Sequence, residues 1–83
     1  MIRVLFFGRL GEYAENGRME LTSPPAPGTA AALRDHLGAV DAGLGKALAE
    51  PQVMVAVNQE VVDWDSPIHD GDEVAFLPPV TGG

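Results

Sequence analysis

The chain has no cysteine, only five lysines and arginines, and no apolar run long enough to enter a bilayer. The missing thiol excludes disulfides, thiolate metal sites and a cysteine nucleophile together, so any sulfur chemistry has to use another atom. The five cations stand against twelve Asp and Glu, a formal charge of -7. That balance repels phosphate backbones and anionic lipid, so neither nucleic acid nor a membrane surface is expected as a partner. A basic protein surface is the better match, beside the plainer reading of an acidic solubilising face. No stretch approaches the roughly 20 apolar residues of a membrane span. The start MIRVLFFGRL, broken by Gly8 and Arg9, lacks the apolar core and small-residue cleavage site of a secretion signal. A cytoplasmic address is the expectation.

Side-chain chemistry is also sparse. His36 stands beside Asp35 on a helical stretch and His69 precedes an acidic turn, and both read as solvated. Asp70-Gly71-Asp72 is far from a calcium-loop signature, so no metal is expected. GRLG, Gly8 to Gly11, has neither the spacing nor the following Lys of a phosphate-binding loop. Ser23 and Ser66 lie beside prolines in loops, and no Ser-His-Asp arrangement is present. As a self-contained enzyme the chain is poorly equipped.

What is present is a small hydrophobic core. Eighty-three residues, 46% of them hydrophobic, make one domain whose core supplies roughly 3–5 kcal/mol. IRVLFF, Ile2 to Phe7, alternates Ile2, Val4 and Phe6 on one side with Arg3, Leu5 and Phe7 on the other, a strand with one clearly buried face. GEYAENG is a turn or loop, and Arg18 to Thr22 pairs back as a hairpin. TSPPAPG, Thr22 to Gly28, can be neither helix interior nor central strand. Thr29 caps the helix of AAALRDHL, with Leu33 and Leu37 one turn apart and Gly38 as its stop. AVDAGLGKALAE reads as loop and then a short helical turn carrying Leu44 and Leu48, ended by Pro51. QVMVAVNQEVVDW is a second hairpin, with Val53, Val55 and Val57 on one face, Asn58 and Gln59 at the turn, and Val61 to Trp64 returning. Asp70 to Asp72 turns into a last strand, Glu73 to Leu77.

Two hairpins flanking one amphipathic helix predict an α+β fold of the ubiquitin-like β-grasp kind: a mixed five-stranded sheet, one main helix on one face, and first and last strands parallel at the centre. The domain is expected to span 1–77, with 78–83 as an extended, flexible tail. If Val74 and Phe76 join Val4 and Phe6 in the core, then Phe7 and Leu77 point outward. Val61 joins them from the returning strand in a candidate docking patch.

The tail, PPVTGG, is the most informative stretch. Pro78 and Pro79 cannot continue a central strand and throw the chain off the sheet, giving residues 78–83 a reach of about 20 Å at roughly 3.4 Å per residue. Val80 and Thr81 carry the chain on to Gly82 and Gly83, which lack Cβ and can thread a slot closed to other residues. The reactive group at the tip is then the Gly83 carboxylate, which adenylation would make reactive toward sulfur or an amine.

DGDEVAFLPPVTGG, Asp70 to Gly83, resembles the C-terminal signature of the molybdopterin synthase small subunits, the MoaD group of ubiquitin-like sulfur carriers. IRVLFFG and VAVNQEVV are similar at matching distances, and the chain departs from the group at Gly11, where relatives often carry Arg. The resemblance implies activation of Gly83 as an acyl adenylate by a MoeB-like enzyme using ATP. Sulfur from a donor protein then replaces AMP, leaving a thiocarboxylate (1-thioglycine) at Gly83 and no bound cofactor. It further implies insertion of the tail into a MoaE-like large subunit, in a heterotetramer, where sulfur passes to cyclic pyranopterin monophosphate. Phe7, Val61 and Leu77 match the docking face of the group. A thiocarboxylate is a better nucleophile than a carboxylate and is ionised at neutral pH, which explains a sulfur protein without cysteine. Three other readings compete: a carrier for thiamine or cysteine synthesis, a ubiquitin-like modifier conjugated to lysines, and an interaction domain with an inert tail. The Pro-Pro spacer favours the molybdopterin branch over thiamine carriers.

Overall fold

The computed structural model describes residues 1–79, so Val80, Thr81, Gly82 and Gly83 lie outside the described residues. The first strand, β1 (Ile2–Phe6), buries Ile2, Val4 and Phe6 and turns Arg3 outward, as its alternation requires. It pairs antiparallel with β2 (Arg18–Leu21) and parallel with β5 (Glu73–Leu77), which in turn pairs antiparallel with β3 (Met54–Val57). β4 (Glu60–Val62) closes the other edge, giving the order β2-β1-β5-β3-β4. The sheet is therefore mixed, with the first and last strands parallel and β5 in the middle, the predicted β-grasp arrangement.

One face of this sheet carries the core. Leu33 and Leu37 of α1 (Ala30–Val40) and Leu44 and Leu48 of α2 (Ala42–Leu48) pack with Ile2, Val4, Phe6, Val55, Val74 and Phe76 in a single apolar cluster. The Phe6 and Phe76 rings stack at 5.6 Å, and Trp64 stacks on Phe76 at 6.1 Å. Trp64 lies beyond β4 rather than within a strand reaching residue 64. Its outer side is covered by the Arg34 guanidinium, 4.4 Å from the ring centroid. No buried side chain among the described residues is polar or charged.

The helical region departs from the sequence reading in an instructive way. Thr29 is the N-cap, its Oγ1 accepting from the Ala32 N–H at 3.1 Å. Gly38, however, does not stop the helix, which runs on to Val40. Asp41 ends it, donating its N–H to the Leu37 carbonyl at 2.9 Å while its carboxylate accepts from the Leu44 N–H at 3.1 Å. One residue thus closes α1 and caps α2, and no loop intervenes. The two glycines face each other where α1 meets α2: a Cβ on Gly38 would lie 3.1 Å from the Gly45 Cα, and a Cβ on Gly45 would fall 2.7 Å from the Gly38 Cα, closer than packed atoms allow. Gly45→Ala should force the two helices apart and cost about 1–3 kcal/mol. A thermal melt checks this, and an unchanged midpoint would contradict the tight crossing.

Two 3-10 turns, Gly8–Tyr13 and Glu15–Gly17, fill the connection from β1 to β2. The first plugs the end of the core with Leu10, which is 2% exposed. GRLG is therefore a turn that carries a core residue, not only a strand-end break.

Candidate functional site: the open sheet face and the root of the tail

Among the described residues no helix lies over the opposite face of the sheet. Strand register places Leu5 of β1 beside Ala75 of β5, Ala75 beside Ala56 of β3, and Ala56 beside Val61 of β4. One step further along, Leu77 lies beside Met54. Phe7 continues β1 in extended conformation, φ -94° and ψ 157°, and donates its N–H to the Phe76 carbonyl at 3.1 Å. Its side chain therefore falls on the side away from buried Phe6. The result is a continuous apolar surface. Phe7, Met54 and Val61 are 47%, 46% and 53% exposed, and Leu5 and Leu77 are half-buried.

Phe7, Val61 and Leu77 are thus brought onto one face, as the alternation of each strand predicts. Met54 was missed. The signal was available in MVAV, because a strand that buries Val53 and Val55 must turn Met54 outward. Small Ala56 and Ala75 make the middle of the face shallow, with the larger side chains around it. On the β1–β2 side the apolar surface gives way to Arg3, Arg18, Glu20 and Glu73 around a depression of about 570 Å³. An apolar centre with a charged margin is the anatomy of a protein interface.

The far end of β5 is held by a polar clasp. Asn58 and Gln59 both take positive φ, 51° and 71°, in the tight β3–β4 turn. From there the Asn58 side chain donates to Asp72 at 3.0 Å and accepts from the Glu73 N–H at 3.1 Å. Asp72 also accepts from the His69 N–H at 2.8 Å. The Asn58 bond, then the His69 N–H, holds the Asp72 carboxyl below its ordinary value. A carboxyl depressed in the folded state contributes stability above its unfolded pKa of about 3.9 and loses it as pH falls through the folded value. Asn58→Ala should move the Asp72 midpoint up toward the ordinary range, as read by a carboxyl NMR titration; an unmoved midpoint would contradict the clasp. The terminal amine of Met1 pairs with Asp70 in the same corner. No group of three or more metal-ligating side chains occurs among the described residues, and His36 and His69 are exposed.

At the other end, β5 stops at Leu77 and two prolines follow. Pro78 packs over Gly8, whose φ is +56° and whose hypothetical Cβ would meet the Pro78 ring at 2.8 Å. The bare backbone at Gly8 lets the chain cross the end of β1 directly beside Phe7. The expected tail therefore leaves the domain at the edge of the apolar face. Val80 to Gly82, expected to thread, and Gly83, expected to be the acceptor, lie outside the described residues.

A mixed sheet with parallel central strands, helices on one face only and an apolar open face defines the ubiquitin-like β-grasp class. The solved structure of CysO from Mycobacterium tuberculosis shares the fold, with a TM-score of 0.74 at 24% identity over 96% of this chain and 100% of that one. The model of the ThiS family matches residues 4–83. Over 100% of both chains, the sequence is 43% identical to the molybdopterin synthase sulfur carrier subunit of Escherichia coli and 39% identical to that of Haemophilus influenzae. The chain belongs to the ThiS family, and these relatives place it in the MoaD group of that family. It is also similar to a chain in the complex of subunits 1 and 2 of the molybdopterin-converting factor from Helicobacter pylori. There the TM-score is 0.62 at 28% identity, covering 99% of this chain and 97% of that one. Among the described residues no helix is long and apolar enough to cross a membrane.

Proposed function

We propose that the chain is the sulfur carrier of a molybdopterin synthase, with the Gly83 carboxyl group as the atom set that carries sulfur. The observation that supports this most is positional. The tail leaves the domain beside Phe7, at the edge of an uncovered apolar face, so a partner docked on that face receives the tip in the same event. The relatives' names, molybdopterin synthase sulfur carrier subunit, support sulfur carriage, and the two-subunit complex supports a second subunit as partner.

In this reading a MoeB-like enzyme joins the Gly83 carboxylate to the AMP part of ATP and releases pyrophosphate. Hydrosulfide released by a donor protein attacks the acyl carbon, the bond to AMP breaks and AMP leaves, and Gly83 is left as a thiocarboxylate. The loaded tail then enters a MoaE-like large subunit, in a heterotetramer. The thiocarboxylate sulfur attacks an oxygen-bearing carbon of cyclic pyranopterin monophosphate, whose oxygen substituent departs. Water then cleaves the acyl–sulfur bond, returning Gly83 as a carboxylate and leaving the sulfur on the pterin, and a second delivery completes the dithiolene. The chain brings no acid, base or metal of its own to these steps. It supplies docking, through Phe7, Val61 and Leu77, and reach, through Pro78 to Gly82. Holding the reacting sulfur at one place in the partner's site is worth several orders of magnitude in effective concentration.

The test is reconstitution. The thiocarboxylated chain, mixed with a MoaE-like subunit and cyclic pyranopterin monophosphate, should yield the dithiolene in proportion to sulfur loaded. A loaded chain that docks but transfers nothing to the pterin, or that appears instead on lysines of other proteins, would contradict the assignment.

A further inference from the structure

Gly8 stands in a pinned stretch of backbone. The Phe7 N–H donates to the Phe76 carbonyl and the Phe7 carbonyl accepts from the Leu10 N–H, each at 3.1 Å, which ties the chain beside Gly8 to β5 and to the first 3-10 turn. Gly8 itself takes φ +56°, a conformation that favours glycine. The Pro78 ring lies over it. A Cβ on Gly8 would come within 2.8 Å of the ring Cγ, yet would stand at ordinary contact, 3.7 and 3.8 Å, from the ring Cβ and Cδ. The overlap thus falls on a single atom of Pro78. Pro79, next along, lines a cavity with Leu10 and Ala47, so both prolines lie against the domain. Each has its φ fixed by its ring, which leaves the pair little rotation with which to absorb a displacement.

We propose that Gly8 is a positioning residue for sulfur transfer: its missing side chain seats the Pro78 ring, and that seat sets the direction in which the tail leaves the docked domain. The inference rests on the reading of Gly83 as the sulfur-bearing group. When the domain is held through Phe7, Val61 and Leu77, the path to the partner's site begins at Pro78. Gly8→Ala pushes the Pro78 ring by roughly 1 Å to regain ordinary contact distance, because the backbone under it is tied and the ring is not. An error of that size at a reacting centre can cost about 100-fold, and with the residues beyond Pro79 taking up part of it a loss of about tenfold is expected. Docking itself is untouched, since the altered contact lies at the end of β1 and not on the apolar face.

The test compares four thiocarboxylated chains: unaltered, Gly8→Ala, Pro78→Ala and the double variant. Single-turnover transfer to cyclic pyranopterin monophosphate is followed at saturating MoaE-like subunit, with the affinity for that subunit measured separately. Gly8→Ala should slow transfer about tenfold with affinity unchanged. Pro78→Ala removes Cγ and Cδ and keeps the Cβ that sits at ordinary distance, so adding Gly8→Ala to it should slow transfer no further. Such non-additivity is the signature of two residues acting through one contact. A positive φ at a residue with a Cβ lowers the melting temperature of Gly8→Ala by about 5–10 °C and leaves the domain folded. An NMR cross-peak between the Gly8 Hα and the Pro78 ring should be present in the unaltered chain without any partner or sulfur, and its absence would overturn the seat directly. Undiminished transfer by Gly8→Ala, the same slowing in the Pro78→Ala background, or a loss of affinity equal to the loss of rate would each overturn the positioning role. Absence of transfer from the unaltered chain would instead contradict the sulfur reading, so the two failures are distinct.

Discussion

Adding one residue after Gly83, or deleting Gly83, should abolish sulfur transfer while leaving the melting temperature and the affinity for the large subunit unchanged. The expectation follows from where the reactive carbon sits. An extra residue converts the Gly83 carboxyl into an amide and moves the free carboxylate outward by about 3.4 Å, and a deletion withdraws it by the same distance. Displacement by even 1 Å from a productive geometry can cost about 100-fold in rate, and here the mismatch is several times larger. Neither change alters a residue of the core cluster or of the open face, whose described members run no further than Leu77. Single-turnover transfer assays with melts and binding titrations on the same samples separate the effects. Full activity from the extended chain would remove Gly83 from the mechanism.

The second large effect is expected from Phe7→Asp. Phe7 is 47% exposed on the free domain, packs into no core cluster, and stands where the apolar face meets the root of the tail. In a docked complex a carboxylate there would be buried without a partner, in place of an aromatic anchor. Loss of such an anchor costs about 2–4 kcal/mol, which corresponds to binding weaker by roughly 30- to 1000-fold. The domain itself should stay within about 0.5 kcal/mol of its original stability, as for other surface changes. Isothermal titration with the large subunit reads the first quantity and thermal denaturation the second. Unfolding by Phe7→Asp would show that the side chain belongs to the core, and unchanged affinity would show that the partner uses another surface.

The parts of the molecule legible in the sequence are those governed by short-range periodicity. Alternation in IRVLFF and EVAFL places Val4, Phe6, Val74 and Phe76 inward and Phe7 and Leu77 outward, because side chains on a strand have only two directions. Thr29 announces its helix because capping needs only the next three residues. What escaped reading depends on residues distant in the chain. Gly38 looks like a helix stop, yet its lack of a side chain answers Gly45 in the neighbouring helix. Asp41 resembles a loop residue because a residue that closes one helix with its N–H and caps the next with its carboxylate has no local signature. Leu10 hides in a glycine-flanked turn, and only the closure of that turn over the sheet sends it into the core. The open face was legible strand by strand, but its continuity, from Leu5 through Ala75 and Ala56 to Val61, exists only once register is set. The seat of Pro78 on Gly8, which fixes where the tail departs, likewise belongs to the assembled fold.

The central claim is that the chain's last carbonyl, rather than any side chain, carries sulfur, and intact mass spectrometry tests it most directly. The 83-residue protein is incubated with a MoeB-like enzyme, ATP and a sulfur donor, and fragment ions then locate any change. The account predicts a gain corresponding to one oxygen replaced by one sulfur, confined to Gly83 and dependent on ATP. An unchanged mass, or the same gain placed anywhere else in the chain, would contradict it.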